Sequence, residues 1–236
     1  MHGVSLIRFV VGVIGNIVSG FLFLSPIPTY WRIYKNKNTE EFDSFPYLAA
    51  FMNCIMWIFY GMPFVHPDSV LIVTINGFGL VMEIIYLITF FIYTSNKQRK
   101  RIMLGVSLAL FIFGLIIIVT LLTLHTTTKR SMVVGILCDI FGIVMYASPL
   151  STLKHVIQEK NPESMPFWLC VTGFLNGAIW FSYAFLKKFD PYLAFGNGVG
   201  GAFGAFQLAV YAYYYFKNSP KGVVAKDEVK PAIELV

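Results

Sequence analysis

Charge is scarce in this chain. Asp, Glu, Lys and Arg make up 13% of 236 residues, against 57% apolar and 17% aromatic. A water-soluble globule carries roughly a quarter charged residues, so this balance excludes that class. Cysteine is also sparse: Cys54, Cys138 and Cys170 have no C-x-x-C spacing, which argues against a disulfide framework or a zinc ribbon. All three sit inside apolar runs and read as small fillers. His2, His66, His125 and His155 fall at run ends or connections, leaving no buried base for an intramembrane hydrolase. The stretch 192–216 has no lysine for a retinal Schiff base. No charged ring or filter run suggests a channel. Glycines 198, 200, 201 and 204 follow no strand, so they are close-contact positions between helices rather than a phosphate loop. No cofactor, metal or nucleic acid is expected, and nothing in the chain reads as an enzyme.

What the chain has instead is length in its apolar runs. About 20 such residues cross a bilayer as a helix, and seven runs qualify: 6–28, 45–64, 70–93, 102–124, 132–153, 165–186 and 192–216. The fold class is therefore an all-α membrane protein. Residues 217–236 read as a short disordered cytosolic tail. Lys and Arg fix the orientation. The segments 29–44, 94–101, 154–164 and 217–236 hold 13 of the 18, and the opposite side holds 5. The N-terminus is expected outside and the C-terminus in the cytosol. The first run lacks the basic start of a signal peptide, so it is expected to stay as a helix.

The chain repeats itself. An offset of 123 carries Gly12 to Gly135, Ser25-Pro26 to Ser148-Pro149 and Glu40 to Glu163. With a three-residue gap that later closes, it also carries Asn53, Trp57 and Tyr60 to Asn176, Trp180 and Tyr183. A two-residue slip then aligns "NGFG" at 76–79 with "NGVG" at 197–200. The organisation is a three-helix repeat (6–93), a linker helix (102–124) and a second repeat (132–216). An odd number of spans separates the copies, so both point the same way, about an axis along the membrane normal.

Polar groups inside hydrocarbon are costly unless partnered. Asn53, Trp57 and Tyr60 share one helix face, as do Asn176, Trp180 and Tyr183. Asn76 and Asn197 lie nearer the outside. Twofold symmetry turns these pairs toward one axis. Each carboxamide offers a donor and an acceptor, flat indoles suit the C–H faces of a pyranose, and no Lys or Arg lies at this depth. A small neutral sugar fits. The alternative is that Trp and Tyr anchor the interface while Asn bonds neighbouring helices.

Pro26, Pro46, Pro149 and Pro166 stand near cytosolic span ends, two per repeat. Proline removes an N–H and clashes with the preceding turn, so four such sites make an inner hinge; simple helix-end punctuation accounts for any one of them. Tyr60, Tyr183 and Asp190 fall near the outer face, where a phenol-to-carboxylate bond would close a path. Of the two acids inside spans, Glu83 has Gly204 as its repeat mate and reads as a local, hydrogen-bonded structural group. Asp139 matches Asn16 and approaches the pathway, which keeps proton coupling open.

The 3+1+3 plan, the Ser-Pro and Pro-Tyr/Phe pairs and the two Asn-Gly-x-Gly helices resemble the plant SWEET sugar transporters, over about residues 8–216. The resemblance implies two three-helix bundles with a sugar site between them, working by alternating access. It also implies pocket-lining roles for Ser19, Leu22, Gly142 and Met145, which by themselves read as ordinary packing residues. A proline tetrad at the inner gate and a tyrosine–aspartate outer gate are implied too. One departure is Gly196, where many members have proline. Members that carry disaccharides tend to have small residues where this chain has Asn53 and Asn176, so a hexose such as glucose is expected, moved by a uniporter in the plasma membrane. Sucrose, a proton symporter using Asp139, a vacuolar or other internal membrane, and a non-transporting seven-helix cargo receptor are the alternatives; a homo-oligomer is left open.

Overall fold

The computed structural model describes residues 2–40 and 42–218; the tail expected at 217–236 lies almost wholly outside the described residues. Every regular element among the described residues is helical: α1 (His2–Leu24), α2 (Ile27–Asn36), α3 (Phe45–Tyr60), α4 (Val70–Tyr93), α5 (Asn96–Thr123), α6 (Thr127–Met145), α7 (Ala147–Glu159), α8 (Phe167–Ala184) and α9 (Pro191–Asn218), with a 3₁₀ turn at Pro162–Ser164. Six helical stretches are long and apolar enough to cross a membrane, α1–α2 and α6–α7 each counting once. The seventh, α3, has 16 residues, about 24 Å of helix.

Several expected boundaries move. The first run, expected to end at 28, continues as helix to Asn36. Pro26 keeps α-type backbone (φ −75°, ψ −10°), and helix resumes at once as α2, with Tyr30 N–H on the Pro26 carbonyl at 3.1 Å. Tyr146 likewise joins α6 to α7, and Pro149 lies in the first turn of α7, where its missing N–H costs nothing. Pro26 and Pro149 thus lie at breaks inside longer helical spans. Pro46 and Pro166 stand at the starts of α3 and α8, the positions proline favours. The second run ends at Tyr60 rather than 64, because Gly61 caps α3 and Pro63 follows.

The two halves reproduce one another in detail. α2 ends on Lys37 and α7 on its mate Lys160, each in the left-handed conformation at φ 54°. Packing follows the same rule: α1 lies on α4 and α6 on α9, α3 on α4 and α8 on α9. Between the halves α1 meets α8 and α3 meets α6, contacts that a twofold axis exchanges. These are two parallel three-helix bundles. Glycine allows the tightest seam, where a Cβ on Gly177 would strike the Gly201 backbone and one on Gly204 the Phe174 backbone. The linker α5 packs on α3 and more lightly on α4 and α6. Arg99 ties it down, its guanidinium donating to the last α4 carbonyls, Phe91 (2.9 Å) and Ile92 (2.8 Å).

Candidate functional site

A cavity of about 340 Å³ lies between the bundles, at the small end of ligand pockets, which run from roughly 300 to 1,000 Å³. The structure brings all ten expected pocket residues to its wall. From the first half come Ser19, Leu22, Asn53, Trp57 and Asn76; from the second come Gly142, Met145, Asn176, Trp180 and Asn197. Among the described residues no Lys or Arg lines it.

The helices hold these side chains in place. Asn76 and Asn197 each spend one amide hydrogen on their own helix, donating to the carbonyls of Ile72 and Leu193, both at 2.9 Å. That tether fixes each carboxamide, with its carbonyl oxygen and second hydrogen still to be used. Trp57 sits edge-to-face with Tyr60 at 5.3 Å, and Trp180 with Tyr183 at 5.2 Å. Ser19 does more than line the wall. Its hydroxyl donates to Asn176 Oδ1 and accepts from Trp180 Nε1 at 2.9 Å, joining α1 to α8 across the axis. Its partners lie some 160 residues away, and no local pattern announces them.

Both intramembrane acids reach the cavity. Glu83 is not the locally bonded structural group its repeat mate suggested: Oε2 is buried and has no hydrogen-bond partner among the described residues. The same holds for Oδ1 of Asp139. Near Glu83 the rings of Tyr30, Tyr47 and Tyr86 pack together, Tyr30 stacked on Tyr86 at 4.4 Å.

One end of the cavity is bridged by a buried hydrogen bond between the two bundles. Tyr60 donates to Asp190 Oδ1 at 2.9 Å, bundle to bundle. The same oxygen accepts the Leu193 amide at 3.1 Å, so Asp190 also caps α9. Tyr183 takes no part in this bond. Its ring instead carries the guanidinium of buried Arg8, 4.6 Å above its centroid. His66 joins the closure unannounced by the repeat. Its imidazole stacks on Tyr60 at 4.7 Å, with Nε2 3.5 Å from Asp190 Oδ2. Ser131 commits its hydrogen to the Val65 carbonyl at 2.6 Å, so the Nδ1 that meets its oxygen at 3.0 Å is the protonated nitrogen. Burial holds this imidazole below its usual pKa, outweighing the nearby Asp190 carboxylate. Outside the closure, Lys187 of the second half reaches Asp68 of the first at 2.6 Å.

Of the four expected hinge prolines, Pro26, Pro46 and Pro149 are half-buried and Pro166 is exposed. All four lie at helix junctions or starts, two in each half.

Known proteins match this chain along most of its length. A family model described as a sugar efflux transporter for intercellular exchange matches residues 9–98 and 132–219. The chain is 49% identical over 228 residues to the bidirectional sugar transporter SWEET7 of Arabidopsis thaliana, covering 96% of this chain and 87% of that one. To the bidirectional sugar transporter SWEET7b of Oryza sativa subsp. japonica it is 47% identical over 216 residues, covering 92% and 81%. The solved structure of a eukaryotic SWEET transporter superposes with a TM-score of 0.84 at 37% identity, over 90% of this chain and 98% of that one.

Proposed function

The chain belongs to the SWEET family of sugar transporters, membrane proteins and not enzymes, and from that premise we propose that it is a uniporter moving a hexose such as glucose in either direction by alternating access. The observation that carries this reading is the cavity. Paired indoles and paired carboxamides surround about 340 Å³ with no cationic side chain, a wall suited to a small neutral polyol. Full carboxamides at Asn53 and Asn176 narrow it toward a monosaccharide. The Tyr60–Asp190 bond is the outer gate, and Pro26, Pro46, Pro149 and Pro166 form the inner hinge. The excess of Lys and Arg on one side supports a cytosolic C-terminus, and the plasma membrane is the proposed location.

Flux of radiolabelled glucose, fructose and sucrose into liposomes holding purified protein tests this, at two pH values and with or without a proton gradient. Glucose faster than sucrose, indifferent to the gradient, is the expected result. Sucrose faster than glucose ends the hexose assignment. Sugar binding without flux identifies a cargo receptor. A proton symporter is the second reading, favoured by the unpartnered oxygens of Glu83 and Asp139 in the cavity. Accumulation driven by the gradient would decide for it.

A further inference from the structure

The cavity is twofold in its backbone but not in its hydrogen bonding, and the difference falls on α6. On the α1 side Ser19 satisfies Asn176 and Trp180. The repeat mate of Ser19 is Gly142, which brings no hydroxyl. A Cβ there would stand 3.9 Å from Asn53 Oδ1, and that oxygen is buried without a partner among the described residues.

Asp139 lies one turn earlier on α6, about 4.5 Å along the axis. Its mate, Asn16, donates to Thr74 at 2.9 Å within the first bundle. Asp139 instead lines the cavity and is 8% exposed; its carboxylate stands beside the Gly196 backbone, and Oδ1 makes no hydrogen bond of good geometry among the described residues. Gly196 makes the room for it: a Cβ there would lie 2.5 Å from that oxygen. The mate of Gly196 is the buried side chain of Ile75. The second half has thus given up a side chain where the first half has one, and holds a carboxylate in the space.

Buried acceptors without donors are rare and costly. Two on one wall of a ligand cavity suit a molecule that brings hydroxyl donors and disfavour one that lacks them. Resting on the reading of this cavity as the sugar site, we propose that Asp139 and Asn53 form an acceptor pole on the α6 side that takes two hydroxyls of the sugar, so that the substrate lies in one orientation in an otherwise twofold site. Asp139 is then a substrate-contacting, specificity-determining residue. The Asn53 half works by imitation: a sugar hydroxyl donates to Asn53 as Ser19 donates to Asn176.

Equilibrium binding of radiolabelled glucose to the purified full chain, competed by each monodeoxyglucose, tests the pole apart from transport. In the parent, at least one deoxy position should lose several-fold to about tenfold in affinity, the scale of one lost ligand hydrogen bond. Asp139→Ala should weaken glucose by a similar factor yet leave that one analogue unchanged, and Asp139→Asn, which keeps a carbonyl oxygen, should recover most of the loss. Gly142→Ser should weaken glucose by offering Asn53 its own hydroxyl, while Gly142→Ala should not. Equal affinity of the parent for every deoxyglucose overturns the proposal without any variant. So does unchanged glucose binding in Asp139→Ala, or a loss that falls equally on all analogues. A Gly142→Ser variant that binds like the parent removes Asn53 from the pole. Liposome flux separates the two readings: a parent that carries glucose while Asp139→Ala binds normally sinks the pole alone, and a parent that neither binds nor carries any sugar sinks both.

Discussion

Tyr60 and Asp190 lie 130 residues apart and share a 2.9 Å hydrogen bond that joins the two bundles. Because Asp190 Oδ1 also caps α9, the bond is built on a helix terminus already held by the backbone. Tyr60→Phe should remove about 1.5–3 kcal/mol from the outer-closed state and leave the fold intact. Asp190→Asn is the cleaner companion, since Asn caps a helix about as well as Asp while removing the charge. Both should raise external labelling of a Ser19→Cys reporter by an impermeant thiol reagent. Unchanged labelling would show that the bond does not hold the gate.

The four central residues should be separable from assembly. Asn76→Ala, Asn197→Ala, Trp57→Ala and Trp180→Ala should each lower sugar flux about tenfold or more, the scale of one or two lost ligand contacts, at normal membrane insertion. Near-parental flux in all four, at equal protein level, would move the site elsewhere.

Substrate size should follow from two side chains. The Asn53→Ser/Asn176→Ser double variant should gain sucrose flux relative to glucose, because two shorter groups widen the cavity beside the indoles. A flux ratio that does not move would mean that other walls set the size limit.

Acid should loosen the fold through His66. The folded imidazole binds its proton less readily than the unfolded one, because burial disfavours the charge. As pH falls through the ordinary value of about 6.5, the unfolded chain takes up protons first, and stability is lost from there down to the folded pKa. Above that window His66 contributes no slope. Thermal unfolding of purified protein between pH 8 and about 5 should show the fall, and His66→Gln should flatten it; a slope of equal size in the variant would assign it to other groups.

Hinge motion should depend on the junction prolines. Pro149→Ala and Pro26→Ala restore a backbone N–H at the α6–α7 and α1–α2 junctions and so favour straighter, stiffer helices. Turnover should drop by several-fold while glucose affinity holds. Parental turnover in the double variant would reduce both prolines to punctuation.

Span number, repeat and paired pocket residues are legible in the chain because rare residue types recur at one offset. Asn, Trp and Pro are uncommon inside apolar runs, so their matched recurrence marks a duplicated bundle rather than shared hydrophobicity. Helix ends are harder to read. Pro26 has the look of a terminus but lies inside a longer span, because α-type backbone continues through it to Asn36. The cross-bundle bonds are hidden altogether. Ser19 reads as a packing residue until Asn176 and Trp180 come into reach, and His66 belongs to the closure only through the fold around Tyr60. Glu83 misleads because its mate, Gly204, says nothing about which way a carboxylate points.

The single linker helix makes the two halves mechanically unequal. α5 lies along α3 and shields it, which lets a helix of only 16 residues sit in a layer roughly 30 Å thick. Its counterpart α8 leaves Trp168, Leu175 and Phe181 exposed on its flank. A change in bilayer thickness or lateral tension therefore bears directly on α8. It reaches α3 chiefly through α5, a sheath worn on one side.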